Sequence, residues 1–177
     1  MDLGISVCWE GEVLDTPNFT PAQLRTLRRF FHSMNYFMVF MWKLGMGRMM
    51  NIWPAVTGRI MVIRHRGRKT GREYLTPVNF AEVENEIYCT AGFGSGTDWY
   101  RNILAHPEVQ LWLPHGRRHA HAHDVSDSPS RVRLLREIII ASGFAGPLFG
   151  VDQRKLTDGQ IANIAKDYRL IHFELEP

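Results

Sequence analysis

A dense group of basic side chains lies between two apolar stretches of the chain. Residues 64–72 contain five Arg or Lys residues and no acidic residue. The preceding run, 60–63, is apolar and typical of a buried strand, and residues 74–83 also have strand composition. A cationic turn between two strands is therefore predicted. Gly67 and Gly71 allow this turn to bend sharply and to approach a ligand closely.

The turn can surround a multiply charged anion. Arg68, Lys69 and Arg72 supply charged donors, and the Thr70 hydroxyl and nearby backbone N–H groups add neutral ones. Positive charges at this density repel one another unless a negative group lies close to them. A solvated basic loop would show the same charge run, but the glycines and the position at a strand end favour a phosphate or carboxylate site.

A glycine-rich loop later in the chain is a second candidate anion site. Gly92, Gly94 and Gly96 alternate just before a predicted helix, which Thr97 or Asp98 would cap. The N-terminus of a helix offers free N–H donors and the positive end of its dipole. A plain tight turn would look similar, and the Rossmann fingerprint is not met because the spacing differs and no βαβ pattern surrounds it. Together, the two anion-seeking elements predict one elongated ligand.

Composition limits the class of protein. The chain has 177 residues, of which 45% are hydrophobic and 22% charged, as in one ordinary globular domain. The net charge of +3 suits an anionic ligand, a membrane surface or nucleic acid. Cys8 and Cys89 form no CxxC motif, so a reducing, cytoplasmic environment is expected. The sequence shows neither a signal-peptide pattern nor an apolar run long enough to span a bilayer.

The N-terminal arm, residues 1–54, is dense in aromatic and Met side chains. Residues 24–44 have a helical pattern that is apolar nearly all round, and Pro54 ends the arm. A helix packed on the core is one interpretation of this pattern. The wall of an apolar substrate pocket and a peripheral membrane contact are two others, and all three stay open.

Two predicted hairpins flank the glycine loop. Pro77 cannot donate a ladder hydrogen bond, so its strand is expected at an edge or a bulge, where a flat ligand can reach the backbone. In the second hairpin, His119, His121 and His123 alternate with alanines and therefore point to one sheet face. Three imidazoles could bind Zn or Ni, but a catalytic metal site normally draws ligands from several elements. A solvated strand face is favoured, and no metal site is predicted.

The predicted order of elements is helix, three strands, helix, two strands, two helices and a final strand. Ser128 is expected to begin the first of the two late helices, with Val132, Leu135, Ile138 and Ile139 facing inward. Thr157 and Gln160 form a capping-box pattern at the start of the second. Antiparallel hairpins dominate this order, and a small closed barrel is the natural way to remove their edges. The expected fold class is therefore α+β, and mainly β.

Three motifs of the chain resemble those of a known family. They are Arg-Gly-Arg-Lys-Thr-Gly-Arg at 66–72, Leu-Thr-Pro-Val at 75–78 and Asp-Trp-Tyr-Arg-Asn at 98–102. Together they resemble the deazaflavin-dependent nitroreductase and quinone reductase family over about residues 57–113. The resemblance implies an antiparallel split β-barrel of the FMN-binding type with flanking helices. The barrel domain would cover residues 55–177, with the arm at 1–54 as part of the same domain.

The resemblance also implies a cofactor and residue roles. The cofactor is coenzyme F420, a deazaflavin with a phosphate and an oligoglutamate tail, which would reduce an apolar quinone, nitro compound or enone. The residues implied to bind it are Arg66, Arg68, Lys69, Thr70, Arg72, Thr76, Pro77, Val78, Ala91, Gly92, Gly94, Ser95, Gly96, Thr97, Trp99 and Asn102. The residues implied to line the acceptor pocket are Tyr36, Trp42, Phe144 and Phe149. No catalytic side chain is required for the hydride transfer itself.

Other functions stay open on the sequence alone. FMN also presents a phosphate and a tricyclic ring, so an FMN-dependent reductase is an alternative, as is a flavin or apolar-ligand carrier without turnover. Nucleic-acid binding is not expected, because the aromatic residues lie away from the basic turn rather than among its cations. A cytoplasmic homodimer, with a peripheral membrane contact through the arm, completes the expectation.

Overall fold

The structure, a computed structural model, describes residues 36–52, 58–92, 94–143 and 155–177. The described strands are β1 (Ile60–Arg66), β2 (Glu73–Val83), β3 (Glu86–Ala91), β4 (Glu108–Leu113), β5 (Gly116–Asp124) and β6 (Arg169–Leu175). The described helices are α1 (Gly47–Met50), α2 (Asp98–Ala105), α3 (Arg131–Ala141) and α4 (Asp158–Ile164), with a 3₁₀ turn at Gly94–Gly96 and helical residues at 36–43. The strands that the sequence patterns predicted are therefore confirmed.

The strands form one closed antiparallel barrel. Their order around the barrel is β1-β2-β3-β6-β5-β4, and the pairing of β4 with β1 completes the ring. Closure gives each strand a partner on both sides for part of its length, which removes the long free edges that isolated hairpins would expose. The small barrel that the hairpin pattern predicted is confirmed.

Alternating side chains fill the interior of the barrel. Tyr100 and Ile103 of α2 pack into the same core as the inward-facing strand residues. Residues of this core with almost no exposure include Met61, Ile63, Phe80, Cys89, Leu111, Ile171 and Phe173. Cys89 is a free thiol, and burial raises its pKa, so it is an unreactive residue of the core.

The cationic stretch is divided between a strand and a turn. The sequence pattern predicted one turn over residues 64–72, but β1 continues through Arg66 and leaves only residues 67–72 in the turn. Arg66 pairs with Glu73 in the ladder, and the Arg64 guanidinium donates to the Glu73 carboxylate at 2.6 Å. This cross-strand carboxylate, which lies just outside the basic stretch, keeps Arg64 in the strand.

Two helices cover the outside of β2 and β3. Their apolar side chains and those of the strands form a second core, which includes Ala81, Leu134, Leu135, Ile138, Ile161 and Leu170. α3 begins at Arg131 rather than at the predicted Ser128, and its buried Leu134 was not predicted. α4 begins with the predicted capping box, in which the Thr157 hydroxyl accepts from the Gln160 N–H and the Gln160 side chain accepts from the Thr157 N–H.

The described part of the N-terminal arm packs against the outside of the barrel. Trp42 is 6% exposed and lies in a cluster with Val62 and Trp112, against which Leu75 packs. A Cβ at Gly47 would lie 2.2 Å from the Trp42 ring, so this position accepts only glycine without a shift. The large apolar side chains exposed on the arm are Tyr36, Phe37, Phe40, Leu44, Met49 and Ile52. Trp42, together with the buried Met38 and Val39, thus fixes the described part of the arm, while the six exposed side chains face outward.

Several expectations fall outside the described residues. They concern Phe144, Phe149, the arm before residue 36 and the boundary between residues 54 and 55, which all stay predictions. Among the residues that the structure describes, no helix has both the length and the apolar character needed to cross a membrane.

Candidate functional site

The barrel opens between β2 and β3. These strands pair only over residues 80–83 and 86–89, whereas β2 itself starts at Glu73. Residues 73–79 therefore have β1 on one side and no described strand on the other. This confirms the prediction that the strand bearing Pro77 lies at an edge.

The backbone of β2 directs alternate groups into this opening. The Phe80 N–H donates to the Arg59 carbonyl at 3.0 Å, and the Gly67 N–H donates to the Arg72 carbonyl at 2.8 Å. Because hydrogen bonds alternate along an antiparallel pair, the even-numbered residues of β2 bond to β1. The backbone groups that point to the open side belong to Leu75, Pro77 and Asn79. Proline fits there because its missing N–H costs no ladder bond.

The cationic turn closes on itself through its glycines. The Gly71 N–H donates to the Gly67 carbonyl at 2.9 Å, and Gly71 has a φ of 66°, in the left-handed region that favours glycine. A Cβ at Gly67 would lie 2.6 Å from the Tyr74 ring, so the turn packs tightly on the start of β2. The exposed side chains of the turn are Lys69, Thr70 and Arg72.

Arg68 joins the turn to α2. Its guanidinium donates to the Asp98 carboxylate at 2.7 Å and to Asn102 Oδ1 at 2.9 Å. The Arg68 backbone N–H donates to the same Asn102 oxygen at 3.1 Å. Asp98 and Asn102 share one helix face, as expected for positions i and i+4. The turn is therefore held beside the first turn of α2, and the Asp98 carboxylate compensates the charge of Arg68.

Three neighbouring cations have no carboxylate partner among the described residues. Arg66, Lys69 and Arg72 are exposed, and no described carboxylate forms an ion pair with any of them. Like charges gathered at one place raise the local potential and attract anions. The basic turn thus keeps most of its charge available to a ligand.

A second link ties α2 to β5. The Tyr100 hydroxyl donates to the Asp124 carboxylate, which also accepts from the N–H and the hydroxyl of Ser126. Burial, together with the hydrogen bond to Asp124, raises the pKa of Tyr100 to about 12. Burial by itself would raise the pKa of Asp124, but the hydrogen bonds from Ser126 and Tyr100 hold it below its usual value. α2 is therefore fixed to two parts of the barrel.

The N-terminus of α2 carries a buried hydroxyl without a partner. Thr97 is the N-cap residue, yet its side chain makes no bond to the first N–H groups of the helix. Thr97 is 5% exposed, and its Oγ1 has no hydrogen-bond partner among the described residues. Such a group costs about 1–3 kcal/mol unless a ligand or water satisfies it. Thr97 therefore marks this helix end as a place where a ligand group is expected.

One imidazole is buried beside the cationic turn. His65 is 3% exposed, and its Nε2 lies 3.0 Å from the Thr76 hydroxyl. Burial lowers the pKa of His65 to about 4, so the ring is neutral near pH 7. The ring stacks on Tyr74 with centroids 5.8 Å apart, and its Nδ1 is buried without a partner. The Thr76 hydroxyl thus contacts His65, and the Thr76 backbone pairs with β1.

A family model matches the part of the chain that contains this site. Residues 41–145, more than half of the chain, match the model of the F420H(2)-dependent quinone reductase family. The chain belongs to this family. The match spans the cationic turn, the opening between β2 and β3, the glycine loop and α2. The family resemblance predicted from the three motifs is confirmed, and F420 is the coenzyme that the family's name states.

A curated relative matches a shorter part of the chain. It is the Mycobacterium tuberculosis protein Rv3178, provisionally named an F420H(2)-dependent quinone reductase, which is 29% identical over 77 residues. The match covers 42% of this chain and 64% of Rv3178, so this chain spans less than two thirds of that relative.

Solved structures are similar to the barrel. The conserved hypothetical protein Rv2991 from Mycobacterium tuberculosis superposes with a TM-score of 0.52 at 14% identity, over 68% of this chain and 75% of that one. An F420-H2-dependent reductase, FDR-A, gives a TM-score of 0.48 at 16% identity, over 67% of this chain and 94% of that one. With the closed barrel and the family match, the expected split β-barrel of the α+β class is confirmed.

In this member of the quinone reductase family, the predicted cofactor residues divide into two groups. Those at the turn, the opening, the glycine loop and α2 are Arg66, Arg68, Lys69, Thr70, Arg72, Pro77, Gly92, Gly94, Ser95, Gly96, Thr97, Trp99 and Asn102. The side chains of Thr76, Val78 and Ala91 serve the barrel interior instead. Of the predicted acceptor residues in the described part of the chain, Tyr36 is 37% exposed while Trp42 is buried against the barrel.

Three residues that position this region were not predicted. They are His65, Asp98 and Arg101. Asp98 and Arg101 belong to the motif at 98–102, but their partners, Arg68 and the Ser95 carbonyl, lie outside this motif. His65 offered no signal, because its contact with Thr76 depends on the register between β1 and β2.

The predicted histidine face lies on the outside of the barrel. The alanines between His119, His121 and His123 are buried in the core, so all three imidazoles face outward as predicted. His123 Nε2 lies 3.1 Å from the Glu174 carboxylate. No group of three or more His, Cys, Asp or Glu side chains in the described ranges is placed to hold a metal ion. That these histidines have no metal role stays a prediction.

Proposed function

We propose that this protein oxidises reduced coenzyme F420 and transfers the hydride to an apolar electrophile, such as a quinone, a nitro compound or an activated enone. Membership of the F420H(2)-dependent quinone reductase family supports the cofactor. The observation that carries the proposal is the arrangement at the N-terminus of α2. Arg68 joins the cationic turn to Asp98, the glycine loop leads into the helix, and Thr97 Oγ1 is buried with no partner among the described residues.

The end of α2 suits the phosphate of the cofactor. The Thr97 hydroxyl lacks a partner, and an anion at a helix N-terminus is favoured by free N–H donors and by the helix dipole. Lys69 and Arg72 supply uncompensated charge in the same turn as Arg68, which contacts α2. With Arg66, these cations exceed what one phosphate needs, which supports the binding of an oligoglutamate tail as well.

The open edge of β2 suits a flat ring. The Pro77 carbonyl and the backbone groups of Leu75 and Asn79 point into the opening, where they can bond the polar edge of a deazaflavin. The pairing of Thr76 and Val78 with β1 holds that edge in place. F420, when bound, supplies the hydride; the residues of this chain bind the coenzyme, orient its ring and exclude water.

The exposed apolar side chains of the arm suit the binding of an apolar acceptor. Its exposed Phe37 and Phe40 form part of an apolar surface on helical residues 36–43. We place the acceptor against this arm, with Tyr36, Trp42, Phe144 and Phe149 as the pocket residues. The same surface would support a peripheral membrane contact, which co-sedimentation with anionic lipid vesicles tests. A cytoplasmic location and a homodimer are also proposed; light scattering of the purified protein tests the dimer.

Stopped-flow mixing of the protein, reduced F420 and a panel of quinones tests the reaction. We expect F420 to bind and its oxidation to be faster than without protein. Tight binding without faster oxidation would identify a carrier. Stoichiometric FMN binding without F420 binding would identify an FMN enzyme and contradict the proposal.

The acceptor side can be tested separately from the cofactor side. Replacing Phe37 and Phe40 together by Ser should raise the KM for an apolar quinone and leave the Kd for F420 unchanged. Leu104→Ser is a matched control, because Leu104 is also a large exposed apolar side chain but lies on α2. Equal loss of quinone and F420 binding would place the arm in the cofactor site.

A further inference from the structure

The glycine loop is held by a side chain from the second turn of α2. Arg101 Nε donates to the Ser95 carbonyl at 2.7 Å. A side chain on a helix leans toward the N-terminus of that helix, so Arg101 reaches back over the first turn. The Arg101 backbone N–H also donates to the Thr97 carbonyl at 3.1 Å. Both the backbone and the side chain of Arg101 therefore fix the segment that leads into α2.

These bonds set the direction of two peptide groups in the loop. The Gly94 carbonyl accepts from the Thr97 N–H at 3.2 Å, and the Ser95 carbonyl accepts from Arg101. The described peptide bonds are trans, and in a trans peptide the carbonyl and the following N–H point in opposite directions. The N–H groups of Ser95 and Gly96 therefore point away from α2. Neither N–H has a partner within the described ranges.

Two neighbouring N–H groups with a common direction form a concave anion site. Gly94 has a φ of 66°, and the 3₁₀ turn Gly94–Gly96 follows it directly. Successive N–H groups in a left-handed residue followed by a turn form such concave sites, which bind phosphates and other anions. The orientation of the Gly96 N–H depends on the bond that Arg101 makes to the Ser95 carbonyl.

Arg101 also adds charge at the same place. The residue is exposed, its Nε is used by Ser95, and its two terminal Nη groups have no partner among the described residues. Arg68, which also contacts α2, is compensated by Asp98. The Arg101 guanidinium therefore adds positive charge on the carbonyl side of the Ser95–Gly96 peptide.

We propose that Arg101 is a positioning residue for the phosphate of the cofactor. By holding the Ser95 carbonyl, it fixes the direction of the Gly96 N–H, and its positive charge raises the local potential at the loop. The inference rests on the proposed function, because it takes the phosphate of F420 as the anion.

Equilibrium titrations with two ligands test this role. The ligands are F420 and its phosphate-free core, the deazaflavin that ends at the ribityl chain. Arg101→Gln should weaken F420 binding about tenfold and change the affinity for the core by less than about twofold. Arg101→Lys keeps the positive charge but lacks the planar guanidinium. Its affinity for F420 should fall between that of the unaltered protein and that of Arg101→Gln. Arg117→Gln is the matched control, because Arg117 is also exposed but stacks on Trp112, and it should change neither affinity.

The outcomes separate the inference from the proposed function. If Arg101→Gln weakens both ligands equally, the residue only supports the fold, and the inference is wrong. It is also wrong if F420 affinity is unchanged. Should the unaltered protein bind neither ligand, the proposed function fails, and the inference falls with it. Thermal melting of each variant establishes that it is folded, and the exposed position of Arg101 makes folding of both variants the expected result.

Discussion

The cationic turn and the histidine face are both clusters of basic side chains, and they differ in whether carboxylates of the protein pair with them. On the histidine face, defined by His119, His121, His123 and His172, carboxylates from neighbouring strands lie 2.7 to 3.1 Å from two of the imidazoles. In the turn, Asp98 pairs with Arg68, and no described carboxylate pairs with Lys69 or Arg72. The remaining turn cations keep their charge available.

The two regions also differ in how fully their backbone groups are paired. The strands under the histidine face, β4, β5 and β6, are paired with each other along most of their length. Around the turn, β2 has an open edge and the glycine loop has unpaired N–H groups. Charge and backbone groups that the protein satisfies itself need no ligand, whereas unsatisfied groups gathered at one place favour binding. Compensation, rather than the number of basic residues, distinguishes the candidate site.

The largest expected effect concerns His65, the buried imidazole beside the turn. Its pKa is about 4 in the folded protein and 6.5 in the unfolded chain, so between these values the unfolded chain binds a proton that the folded protein does not. This contribution to stability is complete above pH 6.5 and is lost as the pH falls toward 4, by roughly 3 kcal/mol. Urea unfolding at pH 7.5 and pH 4.5 measures it.

Two variants isolate the contribution of His65. His65→Gln should remove this part of the pH dependence, whereas His121→Gln on the exposed face should keep it. The same acid slope in His65→Gln and in the unaltered protein would show that another group titrates.

The next effect tests the link between the turn and α2. Arg68→Met removes the guanidinium donors to the Asp98 carboxylate and to Asn102 Oδ1 and should lower the free energy of unfolding by about 2 kcal/mol. Asn102 Oδ1 keeps its bond from the backbone N–H of residue 68. Urea unfolding near pH 7 measures this change. Arg118→Met is a control at an exposed arginine that donates to the Glu176 carbonyl. An equal and small loss in both variants would mean that Arg68 does not fix the turn.

Charge reversal compares the two regions directly. Lys69→Glu should weaken F420 binding by more than about 1 kcal/mol, because it replaces an uncompensated cation at the proposed anion site. His121→Glu places the same negative group on the histidine face and should leave the affinity unchanged. Isothermal titration with F420 measures both. Unchanged affinity for Lys69→Glu would remove the turn from the binding site.

The smallest effect is expected on the histidine face. Glu174→Gln removes the partner of His123, and because both side chains are exposed, the stability should change by less than about 0.5 kcal/mol. Chemical denaturation of the variant measures this difference. The purified protein should also lose Zn and Ni on dialysis. Stoichiometric metal that survives dialysis, with activity lost on chelation, would contradict the assignment of this face as a solvated surface.

Local sequence patterns determined the elements and much of the fold. Apolar runs, alternation and turn residues predicted every described strand, and the Thr157 capping box predicted the start of α4. Pro77 predicted an open strand edge, because a residue without an N–H is excluded from paired positions. The alternation of His119, His121 and His123 with alanines predicted their common face. These properties depend on residues close together in the chain, so the sequence alone contains them.

The tertiary structure decided which charged and polar groups meet. Arg68 and Asn102 lie 34 positions apart in the chain, and the packing of α2 against the turn brings them together. His65 reaches Thr76 through the register of β1 and β2, and Trp42 is buried by the outside of the barrel. Compensation of a charge depends on which carboxylate lies within a few ångströms, and the chain sets that distance only when it folds.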